Sequence, residues 1–193
     1  MKKLLILVLT MILAMGMLSF AAADSAQAQG ETGRTLVVFY SSTGTTEGIA
    51  NIIAQTLEAD VLRLIPVVPY TSEDLVWSNE NSRTAREWAN PETRVVELEA
   101  NTVENWDEYD TVFIGYPLWW GIAAWPVNNF MEANDFTGKT VIPFCTSGSS
   151  GFGQSGALLE EMAGTGEWVE GRRFSASSSE DAVIEWLGDL GLM

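Results

Sequence analysis

The chain has 193 residues, with 10 basic and 26 acidic side chains, a formal net charge of −16 at pH 7, one cysteine and no histidine. This length is enough for one domain with its own core, and a single cysteine excludes an intramolecular disulfide. The absence of histidine excludes Ser-His-Asp and Cys-His catalysis, and any metal site that needs an imidazole. The negative charge argues against nucleic acid or an anionic membrane surface as a partner, because both would repel the chain.

The first residues have the order of an export signal, which is positive, then apolar, then small. Lys2 and Lys3 precede an apolar run at residues 4–20, and alanine-rich cleavage sites follow it. We predict a signal peptide at residues 1–23, or 1–28 if the second site is used, and a polar linker at 24–34. The run is short for a permanent membrane span. We therefore expect a periplasmic or extracellular protein without a stable membrane anchor; the alternative is an uncleaved signal that tethers it to the membrane.

A strand, a polar turn and a helix follow the linker. Residues 36–40 are all apolar or aromatic and do not alternate, which predicts a strand buried on both faces. The turn Ser41-Ser42-Thr43-Gly44-Thr45-Thr46 is nearly all hydroxyls, and apolar residues at helical spacing then continue to about Glu58. A helix N-terminus with hydroxyl donors favours an anion. Because the turn has no Lys or Arg, neutral donors would hold this anion.

The remaining elements continue an alternation of strands and helices. Further strands are predicted at residues 60–65, 111–116, 141–145 and 168–174, the last at a sheet edge because charges interrupt it. Helices are predicted at about 82–88, 123–133 and 155–163, and after a capping box of Ser178 and Asp181. Residues 67–106 are irregular; we interpret their Trp residues as packing over the sheet edge, with a substrate role as the alternative. The alternation predicts a parallel sheet wound on both sides, with ligands at the carboxyl ends of its strands.

Three segments that follow strands resemble the cofactor loops of the flavodoxin family. The turn at 41–46 resembles its phosphate loop. Gly115-Tyr-Pro-Leu-Trp-Trp-Gly121 and Pro143-Phe-Cys-Thr-Ser-Gly-Ser-Ser-Gly151 resemble its two flavin-ring loops, in the form of a subgroup with paired Trp. The resemblance implies a flavodoxin-like α/β domain at 35–193, with a doubly wound five-stranded parallel sheet in the order 2-1-3-4-5. It also implies a non-covalently bound FMN.

The resemblance assigns the candidate cofactor residues to three groups. Around the phosphate it places Ser41, Ser42, Thr43, Gly44, Thr45 and Thr46. Beside the isoalloxazine it places Pro117, Leu118, Trp119, Trp120 and Gly121, where either Trp would stack on the ring. On the pyrimidine side it places Thr146, Ser147, Gly148, Ser149, Gly151, Phe152 and Gly153. The alternatives are that the two Trp residues belong to the core and that residues 146–151 form only a flexible loop.

No residue of these loops looks like a general acid or base, so electron transfer fits better than substrate turnover. We expect an exported electron carrier whose acidity steers it to a basic patch on a redox partner. A stacked Trp and surrounding acids would lower the flavin's reduction potential. One alternative is an NAD(P)H-dependent FMN or quinone reductase on the same fold, with residues 67–106 shaping a substrate pocket. A second alternative is a flavin-free binding module.

Overall fold

A computed structural model describes residues 33–193, so the predicted signal peptide and most of the predicted linker lie outside the described residues. Its helices and strands in chain order are β1 (Arg34–Phe39), α1 (Thr45–Leu57), β2 (Asp60–Arg63), α2 (Arg83–Ala89), β3 (Tyr109–Trp119), β4 (Ile122–Ala123), α3 (Pro126–Ala133), β5 (Thr140–Thr146), α4 (Ser155–Ala163), β6 (Glu167–Trp168), β7 (Arg172–Phe174) and α5 (Glu180–Asp189). Two short 3₁₀ helices, Pro91–Thr93 and Trp106–Glu108, lie between α2 and β3. Within residues 33–193, no helix is long and apolar enough to cross a membrane.

The sheet is parallel along its main path, in the order β2-β1-β3-β5, with both β6 and β7 beside β5. Among the strands at residues 33–193, β4 alone is antiparallel, and it pairs with the end of β3. The short hairpin strand β4 lies outside this path, so β5 corresponds to the fourth predicted strand, and β6 and β7 together occupy the place of the fifth. The predicted order 2-1-3-4-5 is therefore confirmed. The carboxyl ends of β1, β3 and β5 therefore lie side by side at one edge of the sheet.

Both faces of the sheet are buried, as the unbroken apolar run in β1 predicts. Val37 and Phe39 belong to the core on one face, which includes Ile53 of α1 and Trp186 of α5. The hydrophobic core on the other face of the sheet includes Phe130 of α3 and Leu159 of α4. Successive side chains of a strand point to opposite faces, so a strand between two helical layers must be apolar throughout.

The fifth strand position is the main departure from the predicted elements. A single strand at 168–174 was expected, but the chain forms two short strands, β6 and β7, separated by residues 169–171. A Cβ on Gly171 would lie 2.4 Å from the Pro143 carbonyl oxygen and 2.3 Å from the Phe152 ring. The chain thus passes close to β5 at a point where only glycine fits, and the pairing is interrupted there.

The cap of the last helix is shifted by one residue. The predicted capping box of Ser178 and Asp181 is wrong, because α5 is capped by Ser179, whose hydroxyl accepts a bond from the Ala182 N–H at 3.3 Å. The Ser178 hydroxyl accepts instead from the N–H of Ser175 at 2.9 Å, which closes the preceding turn. Ser178 and Ser179 are adjacent and either could cap a helix, so the sequence pattern does not distinguish between them.

We predict that Gly115→Ala lowers the free energy of unfolding by about 1–3 kcal/mol, because a methyl group there overpacks the core. Gly115 lies in β3 opposite Phe144 of β5, and its Cβ would lie 2.2 Å from that ring. Urea denaturation measures the change. The control is Gly48→Ala in the exposed part of α1, where the added Cβ meets nothing within 4 Å. It should raise stability by about 0.5–1 kcal/mol. Equal urea midpoints for Gly115→Ala and the unaltered protein would contradict the prediction.

Candidate functional site

A cavity of about 760 Å³ opens where the loops after β1, β3 and β5 meet. From the predicted residues it is lined by Ser42, Thr43, Thr45, Pro117, Leu118, Trp119, Trp120, Gly121, Thr146, Ser147 and Gly148. Its size lies within the range of small-molecule and cofactor sites. The convergence of three loops follows from the strand order, since neighbouring parallel strands end at the same edge.

The hydroxyl-rich turn presents only part of itself to the cavity. The buried Ser41 hydroxyl accepts a bond from the Gly44 N–H at 3.1 Å, and Gly44 takes a φ of 89° as the N-cap of α1. A positive φ of this kind favours glycine. Ser41 and Gly44 therefore shape the turn without lining the cavity, while the first residues of α1 direct unpaired N–H groups toward this end.

Thr46 joins the first loop to the third. Its Oγ1 lies 2.7 Å from Oγ1 of Thr146, and both residues are buried. Thr146 also lines the cavity. Through this hydrogen bond Thr46 fixes the spacing between the two loops, although Thr46 does not itself line the cavity.

The segment at 117–121 is a tight hairpin, where the sequence predicted a loop. β3 continues to Trp119, and Trp119 pairs with Ile122 of β4 in antiparallel register. Trp120 and Gly121 form the turn with φ values of 50° and 83°. Two successive positive φ values match the twist of a two-residue hairpin. The predicted helix start at 123 is wrong for the same reason: residues 122–123 are β4, and α3 begins at Pro126.

The two tryptophans form one wall of the cavity and differ in their packing. Trp119 makes edge-to-face contacts with Tyr40, Tyr70 and Trp125, at centroid distances of 5.7, 5.0 and 4.7 Å. Trp120 instead lies nearly parallel to Trp88, at 5.6 Å and 10°, and to Trp125, at 6.0 Å and 28°. Both side chains are half-buried and line the cavity, so they are neither core residues alone nor freely exposed.

A hydrogen-bond network supports this wall from behind. The Glu87 carboxylate, only 8% exposed, accepts bonds from the Trp125 indole N–H at 2.7 Å and the Tyr70 hydroxyl at 2.8 Å. It also pairs with Arg83 at 2.7 Å, and the Arg83 guanidinium lies over the Tyr70 ring. Sequence reasoning did not find this network, because Glu87 and Trp125 are far apart in the chain.

The third loop contributes its first residues, and its later ones turn away. Ser150 lines the cavity, whereas the predicted Ser149, Gly151, Phe152 and Gly153 do not. Phe152 packs against the core, close to Gly156 and Gly171. The Ser147 hydroxyl donates to the Ser150 carbonyl, which closes the loop.

Residues from the crossover segment and the loop after β7 also reach the cavity, and the sequence had indicated this only for Trp77, through the alternative of a substrate role. Leu75, Trp77, Thr84 and Ala176 line the cavity. Trp77 is 75% exposed, so the interpretation that it packs over the sheet edge is wrong. Trp106, by contrast, packs on Phe130 and Phe136. Thr84 donates to the Asp74 carbonyl at 2.6 Å, which holds this segment in place. The local sequence offered one indication that this segment reaches the site, which is the presence of Trp77 in a polar stretch.

The described lining of the cavity carries no charged side chain. Burial raises the pKa of the nearby Tyr40, Tyr70 and Tyr116 hydroxyls, and raises the pKa of the Cys145 thiol to about 12. These groups stay protonated near neutral pH. The described part of the site can therefore bind a ligand through neutral donors and aromatic surface.

This donor set fits FMN. Hydroxyls and unpaired N–H groups at the start of α1 suit a phosphate, and the Trp wall suits a flat ring. At Gly121 and Gly148 a Cβ would meet nothing within 4 Å, so a ligand can approach the backbone there.

Comparisons with known proteins agree with this fit. The family model for Flavodoxin matches residues 34–190. A candidate flavoprotein from Bacteroides eggerthii is 38% identical with a TM-score of 0.74, over 82% of this chain and 98% of that one. Another, from Bacteroides uniformis, is 36% identical with a TM-score of 0.74, over 81% and 98%. A flavoprotein from Lactobacillus acidophilus in complex with FMN shares the fold, at 16% identity and a TM-score of 0.58 over 81% and 99%. No curated protein sequence matches the chain.

We predict that Thr46→Val and Thr146→Val each lower the free energy of unfolding by about 1–3 kcal/mol, because each leaves the other buried hydroxyl without this partner. Urea denaturation of both variants and of the double variant gives a double-mutant cycle. The double variant should lose less than the sum of the single losses, since it leaves neither hydroxyl unpaired. Strictly additive losses would show that the bond does not couple the two loops.

Proposed function

The chain belongs to the flavodoxin family, and from this we propose that its cavity binds FMN non-covalently and that the protein is an electron carrier. The observation that carries the proposal is the uncharged cavity of about 760 Å³, with hydroxyl donors at one end and a tryptophan wall beside it. A bound flavin supplies one- and two-electron transfer, while the protein sets its binding and access.

At the phosphate end we assign Ser42, Thr43 and Thr45 as side-chain donors, supported by the N–H groups of the first turn of α1. Arg63, the last residue of β2, is paired with Glu47 at 3.1 Å. Arg63 is not among the residues that line the cavity. A single phosphate bound by neutral donors and a helix N-terminus matches this arrangement.

At the ring end we assign Trp119 as the stacking residue. Trp120 already lies nearly parallel to two other indoles, those of Trp88 and Trp125, and stacks on them. All the aromatic contacts of Trp119 are edge-to-face, and it also lines the cavity. The third loop, at Ser147 and Gly148, would then address the pyrimidine carbonyls through its hydroxyl and amide groups.

Transfer to a protein partner is favoured over substrate turnover. The described lining of the cavity has no acid, base or cation, so it offers no side chain that could transfer a proton to or from a substrate. We propose a redox partner with a basic docking patch, because the chain carries 26 acidic and 10 basic residues.

The predicted signal peptide supports export as part of the proposal, to the periplasm or the cell exterior, with FMN taken up after export. Cell fractionation and mass measurement test this. Recovery of most of the protein from the cytoplasm at full precursor mass would contradict it.

We predict that the colourless apoprotein takes up FMN at one molecule per chain, with a shifted flavin absorption spectrum. Trp119→Ala should weaken FMN binding about tenfold, since stacking on a large aromatic is worth about 1–3 kcal/mol. Fluorescence titration measures the dissociation constants. Trp120→Ala is the matched variant and should have a smaller effect. Failure of the unaltered protein to bind FMN would favour the flavin-free binding module, and a larger effect of Trp120→Ala would reverse the assignment of the stacking residue.

A second candidate function, an FMN-dependent NAD(P)H or quinone reductase, is favoured by one observation. Leu75 and the exposed Trp77 of the crossover segment line the cavity, so a substrate could lie between them and the flavin. This would give residues 67–106 a role that a simple carrier does not require.

We predict that the FMN-loaded protein oxidises NADH and NADPH slowly, with or without a quinone, and exchanges electrons rapidly with a basic redox protein such as a cationic cytochrome. Stopped-flow absorbance measures both, and the protein exchange should slow as salt rises because screening weakens steering. Trp77→Ala tests the alternative. Rapid turnover of a nicotinamide nucleotide that this variant loses would establish the reductase in place of the carrier.

A further inference from the structure

Arg173 in the edge strand β7 holds the third loop of the cavity. Its Nε donates to the Ser147 hydroxyl at 3.0 Å, and its Nη2 donates to the Ser147 carbonyl at 2.7 Å. The Ser147 N–H in turn donates to the Phe174 carbonyl at 3.1 Å. Three hydrogen bonds thus tie the start of this loop to β7, which pairs in parallel with β5.

The guanidinium of Arg173 has no carboxylate within salt-bridge distance among residues 33–193. The ion pairs in this part of the chain use Arg34, Arg63, Arg83 and Arg172. The remaining cations donate to carbonyls of residues outside the cavity lining: Arg86 to Asn81, Arg94 to Glu87 and Trp88, and Lys139 to Trp106 and Tyr109. Among residues 33–193, Arg173 is therefore the one cation whose side chain donates hydrogen bonds to a residue that lines the cavity.

The carbonyl that Arg173 bonds belongs to the same peptide group as the Gly148 N–H. A hydrogen bond from a cation to the oxygen polarises the group and strengthens its N–H as a donor. Gly148 lines the cavity, and a Cβ there would meet no atom within 4 Å, so a ligand can approach the backbone at this residue. The half-buried position of Arg173 reduces the screening of its charge by water.

We infer that Arg173 is a positioning residue which, through the Ser147–Gly148 peptide, makes the cavity bind reduced FMN more tightly relative to oxidised FMN. The inference deepens the proposed function and rests on it. Reduction places negative charge on the pyrimidine side of a flavin, and a polarised N–H with a cation behind it stabilises that charge. This opposes the effect expected from the chain's overall acidity.

The test compares Arg173→Gln with Arg172→Gln. Both remove one positive charge from β7, but Arg172 contacts only Asp189, at 3.9 Å, among carboxylates. For each variant, fluorescence titration gives the affinity for oxidised FMN, and dye-coupled reduction gives the midpoint potential. We expect Arg173→Gln to weaken reduced FMN about tenfold more than oxidised FMN, a midpoint about 30 mV lower for a two-electron couple. Arg172→Gln should shift this ratio by less than threefold.

Arg173→Lys keeps the charge and cannot form the two-pronged contact, so its shift should be intermediate. Circular dichroism shows whether Arg173→Gln folds. If it does not, Arg173→Lys is the deciding variant, and an unchanged ratio of its affinities for reduced and oxidised FMN would overturn the inference. With FMN bound, an unchanged ratio in Arg173→Gln, or equal shifts in Arg172→Gln and Arg173→Gln, would also overturn it and leave the proposed function standing. Absence of FMN uptake by the unaltered protein is a separate result, which would overturn both.

Discussion

The wall of the cavity depends on how the buried indole of Trp125 finds a hydrogen-bond acceptor. A buried N–H left unpaired costs about 1–3 kcal/mol, and the Glu87 carboxylate meets it at 2.7 Å. A buried carboxylate is itself costly unless it is paired and fully bonded, and the Arg83 guanidinium and the Tyr70 hydroxyl complete its partners. Because Glu87 lies in α2 and Trp125 follows β4, the network fixes the crossover segment against the β3–β4 hairpin.

The position of the two cavity tryptophans follows from this network. Trp125 packs edge-on against Trp119 and nearly parallel to Trp120. Both cavity residues therefore pack on an indole that is held in place by its hydrogen bond to Glu87. Trp120 has a φ of 50°, which is unfavourable for a bulky residue. Trp120 also stacks on Trp88 and Trp125, and such contacts stabilise the turn in which it lies. The aromatic wall is thus held by contacts within the protein, and such support reduces the ordering that binding must bring about.

Local patterns predicted most of the fold and the three cavity loops, because they depend on neighbours in the chain. The apolar run at 36–40, the hydroxyl turn after it and the helix at 155–163 need only the sequence nearby. The features that sequence missed depend on distant partners. The break between β6 and β7 depends on the approach of Gly171 to Pro143 and Phe152.

The crossover segment illustrates the same limit for the site. Leu75 and Trp77 reach the cavity because Asp74 is held by Thr84 and because α2 is held by Trp125. Nothing in the irregular pattern of residues 67–106 specifies either contact. Sequence therefore predicted the sheet edge that carries the site, while the wall opposite the loops had to come from tertiary contacts.

Net charge and cavity charge act over different distances in this protein. Exposed acids contribute to a field that salt screens beyond about 8–10 Å, so they suit the steering of a partner in solution. Inside the cavity the lining is uncharged, and short-range dipoles dominate. The charge bonded to the Ser147 carbonyl is positive, although acidic residues outnumber basic ones by 26 to 10. We therefore propose that the overall acidity acts on the encounter with a partner, whereas Arg173 acts locally, on the Ser147–Gly148 peptide group at the cavity.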